Sequence, residues 1–182
     1  MDILQNILLV IVSPRVGWET VNLQAVNPAH VFRRAYVPLL IVLALASFVP
    51  IVYDTTISFP RSLMEAVVNF SAYYFSVYIV NYMIGGFYPD LVKTRGACDR
   101  LKDYVIYSNI YLVLLEIVGN LLPIDFTPIF FMMLYVIWIA YRDLDYLGLA
   151  HGRRSRFLIL TSAMLLLVPL IIHYLLSMLI RI

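Results

Sequence analysis

The protein has 182 residues, of which 63% are hydrophobic and only 13% are charged, and its mean hydropathy is +0.89. Soluble domains are about 45–50% apolar and about 25% charged, so this chain has too few polar side chains to cover an apolar interior in water. The composition excludes an ordinary soluble domain and indicates an integral membrane protein. The formal net charge is only +2, and no nucleic-acid partner is expected.

The first apolar segment, residues 2–12, has its apolar side chains at helical spacing. At ~1.5 Å per residue it covers only about half of a ~30 Å hydrocarbon core. No basic residue precedes it and no small-residue cleavage site follows it, so we do not predict a signal peptide. We predict a short helix in the membrane interface with Trp18 as a nearby anchor. A helix packed against the bundle is the alternative.

Five further apolar segments follow, and we predict that each crosses the membrane as a helix. The predicted spans cover about 35–53, 66–88, 104–122, 127–149 and 157–180. The fourth holds the shortest uncharged run, because Arg142 interrupts it, and the arginine head group would have to reach water from within the helix. The predicted fold is a single all-α domain over residues 1–182, a polytopic membrane helix bundle with five transmembrane helices and a short N-terminal interfacial helix.

The positions of the basic residues support five crossings. With five, eleven of the 13 Lys and Arg residues fall on one side of the membrane, and only Arg61 and Arg181 fall on the other. Basic residues collect in cytoplasmic loops. We therefore predict a multi-pass protein of a bacterial inner membrane, with its N-terminus in the cytoplasm and its C-terminus on the outer side.

The basic segments on the predicted cytoplasmic side form a first candidate site. Clustered Lys and Arg beside a membrane attract anionic lipid head groups, and they can also hold a partner protein. The candidate residues are Arg33, Arg34, Arg153, Arg154 and Arg156. The alternative is that these residues determine the topology and do nothing more.

A second candidate site lies inside the predicted spans. An ionisable group within a membrane costs ~2.5–3.5 kcal/mol on insertion scales, which makes it a candidate functional residue. Counted at ~1.5 Å per residue from the outer ends of their spans, Glu116 and His173 both lie about 9–10 Å deep. The predicted polar layer consists of Glu116, His173, Tyr73, Asn69 and Asn120. It would serve as a proton or ion relay or as a head-group pocket, and hydrogen bonding between helices is the structural alternative.

Tyrosines form a stripe on the second predicted span, at Tyr74, Tyr78 and Tyr82. Their i, i+4, i+8 spacing places them on one helix face. We interpret the stripe as a packing surface, with a substrate path as the alternative. Buried tyrosine hydroxyls need hydrogen-bond partners, and Asn81 and Asn109 are the candidates.

Familiar catalytic and cofactor signatures are absent from the sequence. It has no HExxH, no GxSxG and no phosphate-binding glycine loop with its lysine. The single cysteine, Cys98, excludes an internal disulfide and a cysteine-based metal cluster. The three histidines fall on different sides or at different depths of the predicted topology. We therefore expect no enzymatic activity, no cofactor and no metal.

Several short motifs follow one another in an order that resembles the Yip1 family of small five-span membrane proteins, particularly its bacterial members. The motifs are ILLVIVSPRVGWETV, RRAYVPLLIV, DYVIYSNI and LYVIWIAYRDLDYLGLAHGRRSRF. After Tyr107 and Ser108 the sequence reads NIYLV, without the proline that the family pattern would place there. The resemblance implies a five-span fold with a cytosolic N-terminus and no enzymatic activity. The role of eukaryotic members with Rab GTPases is not carried over, because the arm before Ala35 is short.

Three functions remain open from the sequence. We favour a non-enzymatic protein that binds other membrane components, with the bilayer, anionic lipids, membrane proteins or a second copy as partners. A small transporter or channel that uses Glu116 and His173 is the first alternative. An enzyme acting on lipid ranks last, because no paired catalytic residues are predicted at one depth on one side.

Overall fold

A computed structural model describes residues 3–24, 26–122, 128–147, 149 and 151–180. Across these ranges the secondary structure is helical, with no strand. The helices are α1 (Ile3–Val12), α2 (Pro14–Gln24), α3 (Pro28–Val31), α4 (Val37–Ala46), α5 (Pro50–Tyr53), α6 (Phe59–Phe87), α7 (Arg95–Leu121), α8 (Pro128–Met133), α9 (Tyr135–Asp143) and α10 (His151–Ile180). A π-helical turn, Phe32–Tyr36, joins α3 to α4, and a 3₁₀ turn, Pro89–Leu91, follows α6.

Among the residues that the structure describes, four helical stretches are long and apolar enough to cross a membrane. They are Pro28–Tyr53, Phe59–Phe87, Arg95–Leu121 and Gly152–Ile180. All four begin before the corresponding predicted spans, because hydropathy reports contact with lipid whereas capping decides where a helix starts. Thr94 shows the difference, since its hydroxyl accepts a hydrogen bond from the Ala97 amide and starts α7 within a charged segment.

The helix α7 is the centre of the molecule. All ten residues from Tyr104 to Val113 are buried, which requires neighbours on every side of the helix. α10 also contacts this region, where the Tyr104 and Thr161 hydroxyls are 2.9 Å apart. Near the start of α10, Arg153 lies 3.4 Å from Asp90, which is in the connection that leads into α7. These contacts show that α7 and α10 run in the same direction.

The fourth predicted span, 127–149, is represented by two short helices, α8 and α9, with a break at Leu134. Positions 127 and 148 lie outside the described residues. The segment runs alongside α7 in the opposite direction, because Tyr111 donates to the Met132 carbonyl (2.7 Å) and Arg100 donates to the Tyr146 carbonyl (3.0 Å). Neither helix alone is long enough to span a bilayer.

Two ends of the bundle are therefore defined. The basic end is where α7 and α10 begin, and it carries Arg33, Lys102 and Arg153. The far end is where α6 begins and α7 finishes. There the Tyr53 hydroxyl donates to the carbonyls of Asn120 and Leu122, at 3.0 and 3.1 Å.

The N-terminal region forms a helical hairpin, α1–α2, that packs on the bundle. Trp18 is only 1% exposed, and its indole N–H donates to the Ile139 carbonyl at 2.9 Å. The prediction that Trp18 anchors the protein at the membrane surface is therefore wrong. The sequence shows an amphipathic ring, but it does not show whether water or a carbonyl inside the bundle binds the N–H.

The contacts of α1 itself agree with the alternative prediction, a helix packed against the bundle. Val10 is buried, and the Tyr135 hydroxyl donates to the Ile11 carbonyl at 3.0 Å. The opposite face is apolar and exposed at Leu4, Leu8 and Val12, which recur at i, i+4 and i+8. One face of α1 thus belongs to the bundle and the other is suited to lipid.

The hairpin depends on a close approach of its two helices at Gly17. A Cβ atom at this position would overlap with the backbone of Val10 and Leu9. We predict that Gly17→Ala lowers the free energy of unfolding by about 1–3 kcal/mol, the usual cost of overpacking. Thermal unfolding in detergent measures the effect.

Gly86→Ala is the matched control, because a Cβ atom there would meet nothing within 4 Å. It lies inside α6 and should keep or raise the stability, since alanine is the better helix former by about 1 kcal/mol. Equal stability of the Gly17→Ala variant and the wild type would show that the close approach is not required.

Candidate functional site

The predicted polar layer centres on one face of α6. Glu65, Asn69 and Tyr73 recur every four residues, so their side chains lie along a single stripe. Asn69 and Tyr73 are buried, at 5% and 8% exposure, whereas Glu65 is partly exposed. The stripe faces α4, α7 and α10, and it is contacted by side chains of α7, of α10 and of Ser47, the residue that caps the end of α4.

Hydrogen bonds join the four helices through this stripe. The His173 Nδ1 lies 3.1 Å from Asn69 Oδ1, and Asn69 Nδ2 donates to the Ser47 hydroxyl, also at 3.1 Å. The Tyr73 hydroxyl donates to Glu116 Oε2 over a longer 3.5 Å. The structure therefore brings Glu116, His173, Tyr73 and Asn69 together in one layer near the far end.

Asn120, the fifth predicted member, does not bind the other side chains. Its amide donates to the backbone carbonyl of Glu116, one turn earlier in α7, at 3.0 Å. An asparagine one turn from an acid shares its helix face, but the nearby carbonyl competes for the short side chain. Asn120 is thus a local feature of the helix end.

Glu65 belongs to the layer although the sequence analysis did not include it. Its carboxylate lies 3.9 Å from His173 Nε2, and both side chains are partly exposed. The predicted span began at residue 66, one residue too late to include it. The signal that would have found it is the four-residue spacing from Glu65 to Asn69 and Tyr73.

The arrangement around His173 allows a proton to bind at a defined atom. With Asn69 Oδ1 as acceptor, the imidazole carries its hydrogen on Nδ1 and leaves Nε2 facing Glu65. Protonation of Nε2 would create an ion pair across that 3.9 Å gap. A pocket of about 350 Å³ at the far end is lined by Arg61, Glu65 and Ser177 among others, so it reaches the Glu65 side of this pair. Glu116 is not part of the pocket wall.

The candidate basic residues divide into paired and exposed groups. Arg153 contacts Asp90, and Arg154 donates to Asp145 at 2.6 Å. The hydrogen bond from Lys93, with further help from Arg153, holds the pKa of Asp90 below its usual range. Arg33, Arg34 and Arg156 are exposed. Exposed ion pairs contribute only about 0–1 kcal/mol, so Arg153 and Arg154 can leave their carboxylate partners to bind an anionic ligand.

The structure changes the interpretation of the tyrosine stripe. Tyr82 is 86% exposed, so the packing interpretation is wrong for this residue. Tyr74 and Tyr78 border a groove of about 550 Å³ at the basic end. The expected asparagine partners are also wrong, because Asn81 donates to the Val77 carbonyl and Asn109 accepts from the Ser76 hydroxyl.

A buried carboxylate, Asp143, was also not predicted from the sequence. Asp143 at the end of α9 is 2% exposed, and Asn22 of α2 and Arg100 of α7 lie nearby. Within the residues that the structure covers, no group of three or more His, Cys, Asp or Glu side chains is arranged to hold a metal ion. The sequence does not indicate that Asp143 is buried, because it lies in a charged stretch, RDLD, that is typical of the exposed end of a helix.

Comparison with known proteins identifies no relative. No family model matches the chain, and no curated protein or solved structure matches it. The resemblance to the Yip1 family therefore stays a prediction based on the short motifs quoted above.

Asn69 offers a direct test of the layer as a connection between helices. Asn69→Ala removes the partner of His173 and one partner of the Ser47 hydroxyl, so we predict a loss of about 1–2 kcal/mol in unfolding free energy. Asn120→Ala is the control and should change the stability by less than about 0.5 kcal/mol. Titration with a denaturing detergent measures both. Equal effects of the two substitutions would contradict a specific role for Asn69.

Proposed function

We propose that the protein is a non-catalytic, five-span membrane protein that binds other membrane components, with anionic lipid held at its basic end. The observation that carries the proposal is the assembly of cations from separate elements at one end. Arg33 and Arg34 come from the turn before α4, Lys102 from α7, and Arg153 and Arg156 from α10. Basic residues grouped beside the hydrocarbon region attract anionic head groups, and each cation contributes about 1 kcal/mol to the binding free energy.

Two facts support a fifth crossing. α7 and α10 run in the same direction, so the chain must return between them. Contacts from Tyr111 to Met132 and from Arg100 to Tyr146, which run α8 and α9 antiparallel to α7, support such a return path. The two helices together with the turns after them would supply the length that neither has alone. The arrangement also agrees with the eleven-to-two division of basic residues.

Cysteine labelling distinguishes five crossings from four. Cys98 marks the basic end and Thr55, in the connection between α5 and α6, marks the far end. In a Cys98→Ser background, Thr55→Cys and Ser155→Cys each supply one exposed thiol. We expect a membrane-impermeant maleimide to label Thr55→Cys from outside intact cells. Cys98 and Ser155→Cys should react only after the membrane is opened.

Four crossings would place Ser155 on the side of Thr55, since α10 would then cross in the opposite sense. Labelling of Ser155→Cys and Thr55→Cys from the same side would therefore contradict the five-span proposal. Labelling of Cys98 from outside would instead reverse the proposed orientation.

The polar layer favours a second candidate function, a small proton- or ion-coupled transporter. Glu65 pairs with His173 beside an open pocket that Glu65 lines, and Glu116 binds Tyr73 on the same face of α6. Protons could pass along such groups in a bundle. We rank this function second because the pocket does not extend to Glu116.

Reconstitution in vesicles of equal phosphatidylglycerol and phosphatidylcholine separates the two functions. Binding predicts several-fold enrichment of phosphatidylglycerol in the lipid that the purified protein retains, with no proton flux above that of empty vesicles. Mass spectrometry and a pH-sensitive dye measure the two quantities.

Transport predicts the opposite result, a flux that Glu116→Gln reduces. Glu19→Gln is the control, because Glu19 is exposed on α2 and remote from the layer. A flux lowered by Glu116→Gln but unchanged by Glu19→Gln, without lipid enrichment, would replace the binding proposal with the transporter.

A further inference from the structure

A groove of about 550 Å³ opens at the basic end, between the turn before α4, the second half of α6 and the first half of α7. Its volume falls in the range of about 300–1,000 Å³ that is typical of small-ligand sites. None of the candidate sites predicted from the sequence includes it as a cavity, although Arg33 and two tyrosines of the stripe contribute to its wall.

The polarity of the wall changes with depth on each of the three elements. In α7, Asp99 and Lys102 precede Ile106, and in the α3–α4 region Arg33 precedes Val37. α6 runs the other way, so its residue nearest the basic end is Asn81 and the deeper one is Tyr74. These two residues are seven positions apart, which corresponds to about 10 Å along the helix. On α6 and α7 the polar residues lie at the mouth and the apolar ones below. In the α3–α4 region apolar Pro28, Ala29 and Phe32 also lie near the mouth, and Val37 lies deepest.

The mouth of the groove carries a net positive charge. Among the described residues of the wall, Arg33 and Lys102 are the cations and Asp99 is the acid. Lys102 lies 3.7 Å from Asp99, which offsets part of its charge. No carboxylate among the residues that the structure describes lies within 4 Å of Arg33. The guanidinium, which suits bidentate contact with phosphate, is therefore the principal anion-binding group.

The aromatic side chains of the wall pack against one another. The ring of Phe32 contacts those of Tyr36, Tyr74 and Tyr78, with centroids 5.4, 5.7 and 5.6 Å apart. Tyr36 is fixed in turn, since it is fully buried and its hydroxyl donates to the Tyr73 carbonyl at 2.9 Å. Aromatic pairs at these distances stabilise one arrangement, so the groove exists before any ligand enters.

We propose that this groove binds one phospholipid of net negative charge from the leaflet at the basic end. The phosphate lies between Arg33 and Lys102, and one acyl chain follows Val37, Tyr74 and Ile106 into the membrane. The proposal rests on the proposed binding function and names its ligand. A soluble phosphate compound would leave the apolar two-thirds of the wall uncovered, and a zwitterionic lipid would not match the net charge of the mouth.

Arg33 and Arg34 provide a matched pair of variants. They are adjacent and both exposed, but only Arg33 belongs to the wall. We expect Arg33→Gln to weaken the binding of phosphatidylglycerol about fivefold, the effect of one cation beside an anionic lipid, and Arg34→Gln to leave it unchanged. Lys102→Gln, on a different helix, should also weaken binding. Native mass spectrometry measures the affinities, with the full-length protein in detergent titrated with phosphatidylglycerol or phosphatidylcholine.

A steric variant separates the groove from general surface attraction. Ala29→Trp introduces a bulky ring at an exposed wall position without changing the charge, and it should abolish phosphatidylglycerol binding. We expect phosphatidylcholine to bind the wild type more weakly than phosphatidylglycerol does, and Arg33→Gln to remove that preference. Glycerol 3-phosphate, which has the head group without the chains, should not compete.

The outcomes distinguish the groove from the function on which it rests. Equal loss of affinity in Arg33→Gln and Arg34→Gln, with Ala29→Trp still binding, would overturn the groove but leave lipid binding at the basic end intact. Competition by glycerol 3-phosphate at the lipid's own concentration would assign the site to a soluble phosphate compound. A wild-type protein with no preference for phosphatidylglycerol would overturn the proposed function as well.

Discussion

The common direction of α7 and α10 is the constraint on which the rest of the arrangement depends. Tyr104 of α7 meets Thr161 of α10, and twelve residues further along both helices Glu116 and His173 reach adjacent turns of α6. Because this register is the same in both helices, the acid and the imidazole lie at similar depths. The same constraint requires the chain to return between α7 and α10, which accounts for the position of α8 and α9 beside α7. It also gathers the starts of both helices, with their basic residues, at one end.

The polar groups of the bundle are separated into two regions with different chemistry. Near the far end, α6 connects α4, α7 and α10 through hydrogen bonds of Asn69 and Tyr73, and Glu65 of this layer lines a pocket. At the basic end, Arg33 and Lys102 border a groove whose deeper wall is apolar and aromatic. Between these two regions, α7 is buried on every side. A membrane tolerates polar groups where neighbours or water satisfy them, and this chain provides that at each end.

The hairpin α1–α2 shows why a short apolar segment is hard to interpret from sequence. The length of α1 excludes a crossing, but length alone does not decide between the membrane surface and the side of a bundle. The decision rests on contacts that are distant in the chain, such as the bond from Trp18 to the Ile139 carbonyl. The close approach at Gly17 is equally invisible in the sequence, since a glycine in a helix has many possible reasons. Once α1 is packed, its second apolar face remains available to lipid.

The sequence by itself determined the helical membrane class, the four long spans and the separation of charge between the two ends, because each depends on composition or spacing along one helix. It also placed Glu116 and His173 at one depth, since depth is proportional to residue number in a straight helix. Only the tertiary structure decided that Glu65 joins His173 while Asn120 turns back to its own helix, that Trp18 is buried, and that Arg33 borders a groove whereas Arg34 does not. These outcomes depend on which neighbour each side chain meets, and hydrophobic periodicity carries no information about the partner of a polar group.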